Sequence, residues 1–166
     1  MKENMEASGP LSAEEAMDSF NYDGPEPTNF PFKLGDSVGY IDRIHTETVD
    51  ISTLSLQYYV DGVEVDREKP YRFNGEAIVY TVSDSQNLIR SIEGGSFESF
   101  KKESLNGETV YTSFNSDSNG VEVQLLWWNG EYEKTVKYIN PEVEKERKEY
   151  ERIIQDLYRS VLVSET

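Results

Sequence analysis

The sequence predicts an α+β fold, in which an antiparallel meander sheet of hairpins packs against one amphipathic helix at the C-terminus. Two observations support this prediction. From Gly35 onward, apolar and polar residues alternate with period two, and Asn-Gly or Asp-Gly dipeptides interrupt the alternation. Alternation is typical of half-buried strands, and these dipeptides accept the positive φ angles of a type I′ hairpin turn. After residue 140 the apolar period changes to three and four residues, which is typical of a helix.

Residues 1–30 are expected to form an acidic tail or linker, followed by a single α+β domain over residues 31–166. This first stretch contains seven acidic residues against one lysine, and it is interrupted by Gly-Pro dipeptides. Within it, Ser12 followed by Glu15 matches a capping box, which predicts a short helix over residues 13–20. A helix of this length is unstable by itself, so we expect it either to dock on the domain or to fray.

Four dipeptides predict chain reversals between neighbouring strands. In each case a strand-like segment precedes the dipeptide and another follows it, as in 54–60 with 63–65 and 71–73 with 77–82. Several such reversals in one chain favour a meander of antiparallel strands. The four dipeptides are Asp61-Gly62, Asn74-Gly75, Asn106-Gly107 and Asn129-Gly130.

The last reversal makes a specific prediction about the two tryptophans. A two-residue turn at Asn129-Gly130 would pair Trp127 with Tyr132 and direct Trp127 into the core. Leu126 and Trp128 then point to the opposite face, where no residue of the hairpin covers them. We therefore expect Trp128, Leu126 and Tyr132 to form a surface for a partner or ligand, unless another segment such as the N-terminal one covers Trp128.

The C-terminal helix is predicted to begin with Asn140 as N-cap and Pro141 in the first helical position. Its first two turns contain no apolar residue except Val143, so we expect them to project into solvent. The second half carries an apolar stripe expected to dock on the sheet. The stripe consists of Tyr150, Ile153, Ile154, Leu157, Val161 and Leu162.

Composition and motifs argue against catalytic and metal chemistry. The chain has no cysteine and one histidine, which excludes disulfides, zinc–thiolate sites and cysteine nucleophiles. His45 lies in a strand-like segment without an orienting acid or nucleophile, so a structural or solvent-facing role is expected. Residues 115–120 resemble the opening of a calcium loop, but Leu126 occupies the position that needs a bidentate Glu, which favours a polar hairpin loop. We therefore expect no enzymatic activity, no cofactor and no metal.

The net charge of −16 restricts the choice of partner. A surface this negative repels phosphate, so nucleic-acid binding and attraction to anionic membranes are not expected. The chain as given also has no run of about 18 apolar residues, so membrane insertion is not expected. The charge itself is compatible with a basic protein partner, a cation, a DNA-mimic role or solubility alone.

The C-terminal half resembles a known family. The segment from Asn106 to Tyr111, the strand ending at Trp127, the Gly130-Glu131-Tyr132 turn and the closing helix match in order. Together they resemble a domain of unknown function from Gram-positive extracytoplasmic lipoproteins and anti-sigma-factor-like ectodomains, over roughly residues 105–163. The family carries no established activity and implies no catalytic residue. The resemblance implies a position outside the membrane, tethered through an N-terminal linker such as residues 1–30.

Three functional hypotheses follow. The preferred one is a non-enzymatic extracytoplasmic binding or sensing domain for an unknown protein or small ligand. The first residues, Met1 to Asn4, show no apolar signal region, so this hypothesis expects a leader upstream of Met1. The second is an acidic intracellular inhibitor, such as an immunity, anti-defence or DNA-mimic protein, which binds a basic protein in the cytoplasm. The third is a hydrolase that uses two carboxylates facing each other in a cleft.

Overall fold

The computed structural model describes residues 4–65 and 73–165. Within them the chain forms eight strands and three helices, in the order β1, α1, β2, β3, β4, α2, β5, β6, β7, β8, α3. The strands are β1 (Asn4–Leu11), β2 (Leu34–His45), β3 (Asp50–Val60), β4 (Ala77–Ser83), β5 (Phe100–Leu105), β6 (Glu108–Asp117), β7 (Gly120–Trp128) and β8 (Glu133–Asn140). The helices are α1 (Ala13–Phe20), α2 (Asn87–Glu93) and α3 (Arg147–Glu165).

The strands form one antiparallel sheet in the spatial order β1-β2-β3-β4-β8-β7-β6-β5. Two four-strand meanders therefore lie side by side and join where β4 pairs with β8. Between them the chain passes through α2 to the far edge strand β5. The predicted α+β meander sheet with a C-terminal helix and a short N-terminal helix is confirmed.

The main core lies between one face of the sheet and the helices α1 and α3. The apolar stripe of α3 docks as predicted, with Tyr150, Ile154, Leu157 and Val161 fully or almost fully buried. These side chains meet Trp127 and the other apolar residues of the inner strands. The opposite face carries two smaller clusters, one of them covered by α2.

The N-terminal stretch expected to be a tail contributes two elements to this architecture. The predicted helix over 13–20 is present as α1, and the Ser12 hydroxyl accepts a hydrogen bond from the Glu15 N–H at 3.0 Å. The helix docks on the sheet, and its Ala16 is fully buried. Strand β1, which no sequence pattern predicted, pairs with β2 at the edge of the sheet.

The Asn106-Gly107 turn is confirmed in detail. Leu105 pairs with Glu108, and the two residues between them have φ angles of 55° and 83°. Both values are positive, as a type I′ turn requires, and the right-handed twist of β5 and β6 favours this turn.

The register predicted for the Asn129-Gly130 hairpin is wrong by two residues. Trp127 pairs with Lys134 instead of Tyr132, so the loop spans residues 129–132. The Asn129 side chain explains the longer loop, because its Oδ1 accepts from the N–H groups of Glu131 and Tyr132 at 2.9 and 2.7 Å. A shift of two residues preserves the faces, so Trp127 still points into the core, where it is 3% exposed.

The hairpins predicted at the first two dipeptides are wrong. β3 ends at Val60 and its neighbour β4 begins at Ala77, so both dipeptides lie within one long connection. Residues 63–65 are not a strand, and most of the predicted 71–73 strand lies outside the described residues. β3 pairs with the apolar segment after Asn74-Gly75 and not with the segment after Asp61-Gly62. In this pairing Tyr58 and Leu56 on β3 lie opposite Ile78 and Tyr80 on β4.

The predicted start of the C-terminal helix is also wrong. Asn140 is the last residue of β8 and pairs with Val121, and α3 begins only at Arg147. Asn140 therefore pairs within the sheet and does not cap the helix. Its side-chain Oδ1 accepts a hydrogen bond from the Glu142 N–H in the turn that follows β8. Residues 142–149 are exposed as expected, although most of them precede the helix.

Helix α2 takes its N-terminal cap from a distant strand. Its own N-cap residue, Gln86, makes no side-chain capping bond. Instead, Glu133 at the start of β8 is 6% exposed and accepts from the backbone N–H of Ile89 at 3.0 Å, with a second bond from Leu88. Burial raises the pKa of the Glu133 carboxyl, and the two backbone bonds lower it by a smaller amount.

Replacing Glu133 tests this cap. Because Glu133→Ala leaves two N–H groups without their acceptor, we expect it to lower the free energy of unfolding by about 1–2 kcal/mol. Glu133→Gln retains an acceptor oxygen and is expected to cost under about 1 kcal/mol at pH 7. Urea denaturation followed by circular dichroism measures both, and equal losses in the two variants would contradict the capping role.

The pH dependence gives a second readout of Glu133. A folded-state pKa above the unfolded value means that protonation favours the folded state. This contribution is lost as the pH rises through the raised folded pKa and is fully present below the ordinary value of 4.5. Relative to Glu133→Gln, the wild-type chain is therefore expected to gain stability on acidification toward pH 4.5. A constant difference between the two proteins across this range would contradict the assignment.

Candidate functional site

The three residues predicted to form one surface lie on two sides of the sheet. Leu126 is fully buried in a cluster with Tyr111 and Ile89 of α2, and Trp128 packs half-buried against the same cluster. Tyr132 lies instead in the loop after β7 and contacts the main core. Helix α2 contributes Leu88, Ile89 and Ile92 to this cluster, and their spacing in the sequence is the helical pattern that could have predicted it.

Tyr132 lines a cleft of about 540 Å³ between two loops of the sheet layer. One wall comes from the segment after α1 and the other from the loop between β7 and β8. We call it the tyrosine cleft. Its lining residues are Tyr22, Asp23, Gly24, Pro25, Asn129, Glu131, Tyr132 and Lys134.

The end of α1 positions the first wall. Asn21 adopts a left-handed conformation with φ 64°, and the Tyr22 N–H returns to the Met17 carbonyl at 2.9 Å, which closes the helix. This reversal turns Tyr22 into the core. Its hydroxyl donates to the Pro25 carbonyl at 2.6 Å and lies 3.0 Å from the Tyr80 hydroxyl. The position of residues 22–25 is thereby fixed to β4.

The Asn129 side chain shapes the second wall through its two bonds to the loop backbone. The Tyr132 ring meets Tyr22 edge-on, with ring centroids 5.7 Å apart and planes at 81°. Burial raises the pKa of the Tyr132 hydroxyl, and the nearby carboxylates of Glu131 and Asp23 raise it further. Both carboxylates therefore act electrostatically on the same hydroxyl.

Lys134 extends the cleft toward the core. It lies on the core face of β8, is 1% exposed, and its ammonium lies 5.4 Å from the centroid of the Tyr22 ring. A lysine among the apolar positions of a strand was the sequence signal for this arrangement. Tyr22, in the segment after α1, packs against this lysine.

Two further clefts lie against α3. A cleft of about 490 Å³ at the end of β7 is lined by both tryptophans and by Tyr158. The Trp127 indole N–H is buried and has no hydrogen-bond partner among the described residues. A groove of about 450 Å³ lies between α3 and the β5–β6 end of the sheet, and both acidic and basic side chains line it, including Lys101, Arg147 and Glu151.

The residues considered for metal or acid–base chemistry are spread over the surface. His45 lies at the β2–β3 turn with Nδ1 3.6 Å from the Asp50 carboxylate, and both side chains are largely exposed. Residues 115–120 form the end of β6 and the turn into β7, the hairpin expected from their polarity. In the described part of the chain, no group of three or more His, Asp or Glu side chains is arranged to hold a metal ion.

Comparison with known proteins identified no relative of this chain. The chain matches no protein-family model, and neither the curated proteins nor the solved structures give a significant match. The resemblance to the extracytoplasmic family therefore stays a prediction. Among the described residues, no helix has both the length and the apolar character needed to cross a membrane.

Proposed function

We propose that this chain is a non-enzymatic binding or sensing domain that takes its ligand in the tyrosine cleft and works outside the membrane. The observation that supports binding is the construction of the cleft. Two loops form its walls, and each is fixed by hydrogen bonds from Tyr22 or Asn129. A concave, preformed site with aromatic walls and a few polar groups is the usual form of a small-ligand site.

The volume also favours a small ligand. Small-molecule sites typically enclose roughly 300–1,000 Å³, and a cleft of about 540 Å³ falls within this range. The rim residues Asp23 and Glu131 belong to loops, where side chains vary without disturbing the sheet. A stable sheet that presents such loops suits a receptor domain.

The proposed position outside the membrane comes from the family resemblance over roughly residues 105–163. Reading the gene upstream of the first codon tests it most directly. A hydrophobic leader or a lipid-attachment site there supports the proposal. The cellular test is protease treatment of intact cells that express the native gene, and protection of the domain until the cells are lysed would overturn it.

Blocking the cleft tests binding. We expect Glu131→Trp to narrow the mouth, since Glu131 is exposed on the rim, while Glu64→Trp places the same side chain on an exposed site elsewhere. Amide resonances of the cleft residues would be followed by NMR during a screen of small neutral, cationic and anionic compounds. Compounds that shift them in wild type and Glu64→Trp but not in Glu131→Trp support the proposal. A screen without any such compound would overturn it.

A second candidate function is an acidic inhibitor that binds a basic protein. The net charge of −16 favours it, since an excess of exposed carboxylates accelerates association with a basic surface. On this hypothesis, the exposed acids of α1, including Glu14, Glu15 and Asp18, lie in the contact area. Binding to a purified basic partner that weakens steeply with salt, and that survives Glu131→Trp, would favour inhibition over cleft binding.

A further inference from the structure

We infer that the tyrosine cleft binds a small molecule through an organic ammonium group. This inference rests on the proposed function, since it names the chemical class of the ligand for the same site. It follows from three features of the cleft: the charge of its lining, the arrangement of its rings and the placement of its lysine.

The lining carries one uncompensated negative charge. Asp23 and Glu131 are exposed at the rim, while Lys134 is the basic residue of the lining. A ligand with one positive charge would neutralise this excess, whereas a carboxylate or phosphate would add to it. The rest of the molecule reinforces the preference, because a net charge of −16 raises the local concentration of cations near an acidic mouth.

Besides the carboxylates, the cleft has aromatic rings of the kind that bind ammonium groups. Tyr22 and Tyr132 both line the cleft and stand nearly perpendicular. Tyr22 is only 6% exposed, so the half-buried Tyr132 supplies the ring that a ligand contacts. Tyrosine faces attract ammonium groups, and clusters of such rings with nearby acids recognise alkylated amines. Phe20, with its ring centroid 6.4 Å from that of Tyr132, packs against this ring.

Lys134 shows that an ammonium is accommodated beside these rings. Its Nζ lies over the Tyr22 ring at 5.4 Å from the centroid, although the side chain is almost completely buried. The protein thus already places one ammonium against this aromatic wall on the core side. The solvent side has the two rim carboxylates, and we place the ligand's ammonium there.

Choline and its uncharged carbon analogue 3,3-dimethyl-1-butanol test the charge requirement. The two molecules have nearly the same shape and differ in the positive charge of the quaternary centre. Ethanolamine serves as the primary-ammonium probe, so the titrations also distinguish the two kinds of ammonium. We expect choline or ethanolamine to shift the amide resonances of the cleft residues, and the neutral analogue to leave them in place.

A matched pair of double variants tests the location. Asp23→Asn with Glu131→Gln removes both rim charges without changing side-chain size. Asp36→Asn with Glu64→Gln makes the same chemical change at exposed positions near the opposite end of β3. The rim variant is expected to weaken ammonium binding by at least about 10-fold, because it removes both carboxylates that lie close to the bound cation. The control variant is expected to change it less than about 2-fold.

Single variants of Tyr132 test the aromatic wall. Tyr132→Phe retains the ring and is expected to retain binding, while Tyr132→Leu is expected to weaken it several-fold. Equal shifts from choline and its neutral analogue, equal weakening in both double variants, or no shift with either ammonium probe would overturn the inference. If anionic or neutral compounds bind the cleft instead, the ammonium inference fails while the proposed binding function stands. If no compound of any charge binds there, both fail.

Discussion

Replacement of Gly120 by alanine is expected to lower the free energy of unfolding by about 3–5 kcal/mol, the largest effect predicted for a single methyl group in this chain. Gly120 begins β7 with a φ of 117°, a conformation that costs a residue with a side chain considerable strain. A Cβ at this position would lie 2.1 Å from the Asn140 carbonyl oxygen and 2.6 Å from the Pro141 Cα. Both atoms are backbone, so they have little freedom to move aside.

Gly107→Ala is the matched control for Gly120→Ala. Gly107 also has a positive φ, 83°, but a Cβ there would meet no atom within 4 Å. We therefore expect a cost of about 1–2 kcal/mol from backbone strain alone. Urea denaturation of the two variants separates strain from steric overlap. Similar losses in both would show that the close approach of β7 to the Asn140–Pro141 backbone contributes nothing.

Replacement of Gly39 by alanine is expected to destabilise the protein by about 2–3 kcal/mol, mainly by displacing α1 from the sheet. A Cβ on Gly39 would lie 2.3 Å from the Ala16 Cβ and 3.3 Å from both the Ser12 carbonyl oxygen and a Leu56 methyl carbon. Ala16 is fully buried at this contact. The absence of a side chain at Gly39 thus allows the helix to approach the strand closely.

A double-mutant cycle identifies the cause of that loss. Ala16→Gly alone is expected to cost about 1 kcal/mol, because glycine disfavours a helix interior. Combined with Gly39→Ala it removes the clashing methyl group, so the double variant is expected to be more stable than Gly39→Ala alone. Additivity of the two single losses to within about 0.5 kcal/mol would contradict direct contact between the two positions.

Local rules predicted the elements whose cause is local. The capping box at Ser12 predicted α1, and Asn106-Gly107 predicted the β5–β6 turn, because each depends on residues close in sequence. Alternation also predicted the sheet faces of Trp127 and Trp128. The register shift of two residues leaves each of them on the same face. The stripe from Tyr150 to Val161 predicted which side of α3 docks.

Two of the errors occurred where a local turn or cap pattern competed with another interaction of the same residue. Asn140 and Pro141 match a helix start, but Asn140 remains in β8 because it pairs with Val121. Asn129 matches a tight turn, but its side chain bonds to Glu131 and Tyr132 and stabilises a longer loop. In both cases the winning interaction was a hydrogen bond whose partner the local motif does not specify.

The candidate site was only partly predictable from the sequence. Tyr132 was identified as a surface residue, while its neighbour Tyr22 lies 110 positions earlier in the chain. The two tyrosines meet because the segment after α1 reaches the loop between β7 and β8, and no local pattern predicts that contact. Leu126 and Trp128 were expected at the same surface, but they pack into a cluster with α2 residues on the opposite face.

The sequence by itself determined the fold class, the side on which most core residues lie and the strongly acidic surface, since these depend on composition and on periods of two to four residues. Only the tertiary structure decided the order of the strands, the cap that Glu133 supplies to α2 and the meeting of Tyr22, Tyr132 and Lys134. The physical reason is that strand pairing and helix docking join residues far apart in the chain, and their energies depend on contacts that exist only after folding.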